Sequence, residues 1–282
     1  MLGAAGKAAR RLARAGIKLR RVIVTAATEK KYNAGVLLFY IWLAQYGLAL
    51  PDCYVDLDLI LCDFIQHSWE EGEVRGYVGN ALSGVSHFLP DVRGHLKSAW
   101  RLYGAWQRME LPARAPPMPE AVLFGVAGHC VRKGAYAMGV CLLVFFHCFI
   151  RTGELLALTV DQIVVTASEG VISLPNTKSG QRTGALEAVS ITSDVVAVWL
   201  GFWTKVRRKQ AGNFAKLWPG TAAEFRRLFK ALMQHFHLEE WEFQPYSLRR
   251  GGATAFFRET GSMERTLARG RWGTSRVARI YI

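Results

Sequence analysis

Bulky apolar side chains recur at helical spacing through the first hundred residues. Leu37, Tyr40, Ile41 and Leu43 mark one segment over 32–46, and Leu57, Ile60, Leu61 and Phe64 share a face of a second over 55–69. The segments 76–88 and 96–107 continue this pattern, so four helices are predicted. No stretch before residue 110 alternates apolar and polar positions as a strand does. The pattern breaks at 111–119, where Pro112, Pro116, Pro117 and Pro119 fall close together. Proline lacks the amide hydrogen and collides with the preceding helical turn, so this stretch reads as an extended, stiff connector and as a domain boundary.

Beyond the prolines the period changes twice. Segments 120–131 and 135–150 read as helices. Three β-branched runs follow, at 162–166, 170–174 and 185–191, and predict a short antiparallel sheet. Helical spacing returns at 195–209, 222–236, 247–258 and 263–269, and Gly251, Gly252, Gly261, Gly270 and Gly273 punctuate the end. The expected fold is mostly α with a small antiparallel β-sheet: a helical bundle followed by an α+β domain. Two apolar stretches, 34–50 and 138–150, bear on membrane insertion. Gln45 and Gly47 interrupt the first, and the second is too short to cross a bilayer. Both read as buried helices, and no membrane partner is expected.

Charge narrows the partner. The 282 residues carry 36 Lys and Arg against 22 Asp and Glu, a net charge of +14, and 51% are hydrophobic. A core of ordinary size is therefore available, and the cationic surplus points to a polyanion such as nucleic acid. Residues 1–22 are rich in Arg, Lys and Ala, and the first acid is Glu29. This basic arm (1–28) reads as a DNA contact, an organelle transit segment or a solvated helix; no secretory signal is visible. The compartment stays open between the nucleus, or wherever the DNA target lies, and an organelle. The five cysteines are odd in number and show no C-x-x-C spacing, which disfavours a disulfide framework or zinc knuckle. His147 and Cys148 lie in an apolar run and read as core. Phosphate-loop, H-E-x-x-H and G-x-S-x-G motifs are absent, and no cofactor or metal is expected.

The chemistry-bearing residues are cations spread around a terminal tyrosine. Arg151 ends an apolar stretch, where an unpaired charge is costly, and Glu154, three residues on, lies on the same helical face and can hold it. Lys178 sits in Asn176-Thr177-Lys178-Ser179-Gly180, between two predicted strands. Tyr246 and Arg249 are an i, i+3 pair opening a helix, with Ser247 as its expected N-cap. The chain closes through Arg271-Trp272-Gly273 to Tyr281 and Ile282. Each has a plainer reading: a capping arginine, a turn lysine, packed aromatics, a surface cation, a frayed terminus.

Taken together, these residues resemble the tyrosine recombinases. That family has an arginine in a T-G-x-R-x-x-E-L-type helix, a lysine in a β-turn, an H-x-x-R segment, a His or Trp, and a tyrosine some nine residues later. Here those positions fall on Arg151 with Glu154, Lys178, Tyr246 with Arg249, Trp272 and Tyr281. The Ser247-Leu248-Arg249-Arg250-Gly251-Gly252 wording is also similar to recombinases of eukaryotic mobile elements. The resemblance covers 120–282 as the catalytic domain and, by architecture, 29–110 as a helical DNA-binding domain, with 111–119 as linker. It implies two halves clamping double-stranded DNA, self-association into a synaptic tetramer, and site-specific cleavage and rejoining through a 3′-phosphotyrosyl link. Tyr281 would be the nucleophile, Arg151 and Arg249 the phosphate clamp, Lys178 the acid for the leaving oxygen, Trp272 a phosphate ligand, and Glu154 the support of Arg151.

Two features depart from the pattern. Tyr246 stands where the family usually has histidine, so a proton acceptor near neutral pH is replaced by a donor. Only Ile282 follows Tyr281, where relatives continue into a tail, which reads as a shortened chain or a decayed element copy. The alternatives are a catalytically impaired DNA-binding relic, a type IB topoisomerase, and a metal-dependent integrase or nuclease, the last lacking visible clustered carboxylates.

Overall fold

A computed structural model describes residues 7–8, 11–12, 14–16, 23–111, 113–175, 177 and 186–282. The chain divides into two compact units, Met1–Ala113 and Arg114–Ile282. The first contains helices α1 (Ala26–Gln45), α2 (Tyr54–Glu70), α3 (Arg75–Phe88) and α4 (Lys97–Met109). Phe39, Leu61, Phe64, Leu82 and Ala99 are its innermost side chains. α4 begins without a cap of its own. Asp58 of α2 supplies it, accepting from the amides of Ser98 and Ala99 at 2.9 Å each, and so satisfies two of the four unpaired donors that open any helix.

The second unit is built around an apolar helix. α5 (Glu120–Arg132) leads into α6 (Tyr136–His147), whose residues from Met138 to Phe146 are all buried. A helix apolar all round must be covered all round, and α5, α8 (Asp194–Ala211) and α10 (Pro245–Thr260) pack on it. Cys148 lies in this core, as expected, whereas His147 is half-buried at its edge. The sheet has the order β1 (Ile163–Val165), β2 (Gly170–Leu174), β3 (Glu187–Ile191), antiparallel throughout, with Ile163 opposite Ile172 and Leu174 opposite Glu187. Its period-2 alternation buries Ile172, Leu174, Val189 and Ile191 on one face. α9 (Ala222–His235) completes the core, and α11 (Met263–Gly270) and α12 (Ser275–Ala278) follow α10.

α6 stops three residues short of its expected end. Phe149 has φ +47°, a left-handed conformation uncommon outside glycine, and it turns the chain into the short helix α7 (Thr152–Ala157). The C-terminal part of the proline-rich stretch is bonded to the second unit. Met118 is buried and donates its amide to the Ser247 carbonyl at 3.0 Å, and the Arg250 guanidinium donates to the Ala115 carbonyl.

Close approach of α6 and α10 depends on Gly252, where a Cβ would overlap the Phe146 carbonyl oxygen. Gly252→Ala is expected to destabilise the second unit by about 1–3 kcal/mol, the usual cost of overpacking. A lowered urea midpoint at unchanged slope would show it; an unaltered midpoint would mean the two helices separate freely. Among the described residues, no helix is long and apolar enough to cross a membrane, and no group of three or more His, Cys, Asp or Glu residues is arranged to hold a metal ion.

Candidate active site

α10 places two of the expected residues. Its N-cap is Gln244 rather than Ser247: Pro245 takes the first helical position, and Ser247, two residues further in, accepts the Gln244 amide on its Oγ at 3.0 Å. Pro245 is preorganised for a first turn and has no amide hydrogen to satisfy there, so the helix starts earlier than a serine cap implies. Tyr246 is left on the exposed side of that turn. Arg249, three residues on, points inward and is fully buried.

The segment after α11 closes over Arg249. Arg271 takes a left-handed conformation (φ +55°) at the end of α11 and turns the chain back, so that the Trp272 indole lies against Gly270. A Cβ at Gly270 would overlap that ring. The Gly270 carbonyl accepts Arg249 Nη2 at 3.0 Å. The Arg249 guanidinium carbon is 5.3 Å from the ring centres of both Trp272 and Tyr281, and those two rings are 4.5 Å apart. Tyr281 lies in the turn after α12 near Thr254, whose hydroxyl is shared between the Arg250 carbonyl at 2.9 Å and the Tyr281 carbonyl at 3.2 Å. Its own hydroxyl accepts a short hydrogen bond from Tyr246.

Arg151 arrives from the other side. It is the N-cap of α7 and does not share a helical face with Glu154, because the left-handed turn at Phe149 has already ended α6. Glu154 folds back on it, accepting the Arg151 amide at 2.7 Å and Nη1 at 2.5 Å. The oxygen that accepts the Arg151 amide, Oε2, also takes Arg271 Nη2 at 2.8 Å. Arg271 Nη1 reaches Glu187, the first residue of β3, at 3.3 Å.

The electrostatics tie these groups into one cluster. Burial lowers the Arg249 pKa to about 10, the Arg151 charge pushes the same way, and the guanidinium remains charged at neutral pH. The Tyr246 phenol is held well above its usual value, first by burial and then by its bond to Tyr281, against the opposing pull of Arg249 and Arg151. Burial alone would raise the Glu154 carboxyl, but the Arg271 charge and the hydrogen bonds from Arg151 and Arg271 bring it below the normal range. Among the described residues of this cluster, Arg249 Nε and Nη1, Arg271 Nε and Trp272 Nε1 are buried donors without an acceptor. Buried polar groups normally find partners, so four unpaired donors in one cluster are unusual.

Arg151, Glu154, Tyr246, Arg249, Trp272 and Tyr281 thus come together from segments nearly a hundred residues apart. Lys178 lies outside the described residues, between β2 and β3 in the sequence. Sequence reasoning passed over Arg271 and Thr254. The Gly270-Arg271-Trp272-Gly273 run held the one available signal for Arg271, an arginine wedged between a glycine and a large aromatic. For Thr254 there was none, since its partner is a backbone carbonyl 27 residues away.

No protein-family model matches the chain, and no curated protein matches it in sequence. Solved structures do match in shape. XerH site-specific recombinase bound to a palindromic difH substrate, in a post-cleavage complex, superposes with a TM-score of 0.64 at 13% identity, over 89% of this chain and 75% of that one. The Tn1549 transposon integrase in complex with transposon right-end DNA gives 0.62 at 14% identity, over 97% and 92%. A lambda integrase dimer bound to a COC′ core site gives 0.58 at 14%, over 98% and 75%. The chain has the tyrosine recombinase fold, the fold of these site-specific recombinases and integrases.

Proposed function

We propose that this chain cuts and rejoins double-stranded DNA at specific sites through a covalent link to Tyr281. The observation that carries the reading is the buried Arg249, stacked against Trp272 and Tyr281 with two guanidinium donors unbonded. The DNA complexes among the structures of the same fold and the net charge of +14 support the same partner.

In this reading the Tyr281 hydroxyl releases its proton to solvent, and the phenolate oxygen attacks the phosphorus of a DNA phosphodiester while the bond to the 5′ oxygen breaks. The protein gains a 3′-phosphotyrosyl link, and the 5′ strand leaves as a hydroxyl after taking a proton from Lys178. Arg249, Arg151 and the Trp272 indole N–H bind the phosphate oxygens as their charge grows. Rejoining reverses the steps: a 5′ hydroxyl attacks the link and Tyr281 departs. Self-association on DNA into a synaptic tetramer is part of the same proposal. The test is incubation with a nicked suicide substrate, which should yield a protein–DNA adduct resistant to denaturant. No adduct at any pH would leave a DNA-binding relic as the better description.

Tyr246 acts in this scheme as a donor, not a base. Its raised pKa keeps it neutral at pH 7, and its hydroxyl donates to the attacking oxygen. Tyr246→Phe is expected to slow adduct formation about tenfold or more, the worth of one hydrogen bond to a charged group. Tyr246→His places a group that loses its proton near pH ~6.5, so its rate should climb as pH rises through that value. A Tyr246→Phe rate equal to the parent's would remove Tyr246 from the mechanism.

A further inference from the structure

We propose that Arg271 is a positioning residue that fixes both the phosphate-binding arginine Arg151 and the strand base of the Lys178-bearing connection, by bridging Glu154 and Glu187. The inference rests on the strand-exchange reading of the site.

The Arg271 side chain is 7% exposed, and its two carboxylate partners, Glu154 and Glu187, are 7% and 15% exposed. A buried guanidinium is costly unless it is paired, and its planar fork can bond two carboxylates at once as an ammonium cannot. The two partners belong to different parts of the site. Glu154 shares Oε2 between Arg271 Nη2 at 2.8 Å and the Arg151 amide at 2.7 Å and gives Oε1 to Arg151 Nη1 at 2.5 Å, so Arg271 helps set the carboxylate that aims Arg151. Glu187 opens β3 and pairs with Leu174, the last residue of β2. The chain leaves the sheet at Leu174 and returns at Glu187, with Lys178 between them in sequence. Holding Glu187 therefore holds the root of that connection.

The backbone makes the bridge specific to this position. The left-handed turn at Arg271 also seats Trp272 on Gly270, the residue that accepts from Arg249. Arg151, Arg249 and β3 are thus referenced to one residue that has no direct place at the reacting phosphate.

The test uses the full chain with two nicked substrates, one with the natural 5′ oxygen and one with a bridging 5′ sulfur, which leaves without a proton. Arg271→Met should slow adduct formation about a hundredfold on the sulfur substrate, the scale of an ångström-sized misplacement, and further on the oxygen substrate. Arg271→Lys, which keeps the charge but not the fork, should fall between that variant and the parent, and it carries the test if Arg271→Met does not fold. Glu187→Gln should slow only the oxygen substrate, with the sulfur substrate restoring the rate. The Glu154 carboxyl, followed by 13C NMR, should titrate higher in Arg271→Met, which removes the charge and hydrogen bond that lower it, and be unmoved in Glu187→Gln. Parent-like rates in Arg271→Met, an unmoved Glu154 titration, or equal slowing of both substrates by Glu187→Gln would overturn the inference. If the parent protein forms no adduct, the strand-exchange reading fails, and the Glu154 titration still decides the role of Arg271.

Discussion

Tyr281→Phe is expected to abolish the covalent protein–DNA adduct while leaving DNA affinity within about twofold of the parent. The substitution removes one oxygen and keeps the ring. The contacts that build the site, with Trp272 at 4.5 Å between ring centres and with the Arg249 guanidinium at 5.3 Å, are made by the ring and survive. The Thr254 bond to the residue-281 carbonyl survives too, because it belongs to the backbone. The chemistry does not survive, because no other described hydroxyl occupies that position: Tyr246 is its donor, lies on the exposed side of α10 and is held neutral. Gel shift together with denaturing electrophoresis on a suicide substrate checks both halves. An adduct persisting in Tyr281→Phe would assign the nucleophile elsewhere.

Arg249→Met is expected to cost at least a hundredfold in adduct formation without loss of thermal stability. In the proposed reaction the rate loss follows from removing a fixed donor to a phosphate whose charge grows in the transition state, worth about 10²–10³ in comparable sites. The stability result follows from the opposite balance in the free protein. Arg249 is fully buried, has one protein hydrogen bond and two unpaired donors, and sits near the like charges of Arg151 and Arg271. Replacing such a buried charge with an apolar side chain of similar volume is often neutral or stabilising by about 1–4 kcal/mol. Each kcal/mol shifts the midpoint of a unit this size by about 2–4 °C. A Tm at or above the parent's, measured without DNA, fits a site kept for chemistry at the expense of stability. A Tm lowered by more than about 4 °C would make Arg249 a structural residue.

Local patterns carried much of the architecture. Period 3.6 marked the helices of both units, β-branched runs marked three strands, and the prolines marked where the period changes, because these signals come from side chains meeting their neighbours a turn or a pleat away. Errors fell at ends. α6 was read to residue 150 because apolarity continues through Phe149, and nothing in Phe149 itself announces a left-handed turn. Ser247 was read as a cap because serine is a good one, while Pro245 and Gln244 gave the helix an earlier start.

The sequence by itself determined the residue types of the candidate site and their order, with Arg151, Tyr246, Arg249, Trp272 and Tyr281 recognisable by their resemblance to the tyrosine recombinase pattern. Tertiary structure alone decided how those residues are held. Asp58 caps a helix 40 residues away, Thr254 bonds the Tyr281 carbonyl, Gly270 yields its surface to Trp272, and Arg271 joins Glu154 to Glu187. Each of these links pairs a common residue type with a distant backbone or carboxylate. A hydrogen bond depends on where its two partners lie in space, and separation along the chain says nothing about that until the core has packed.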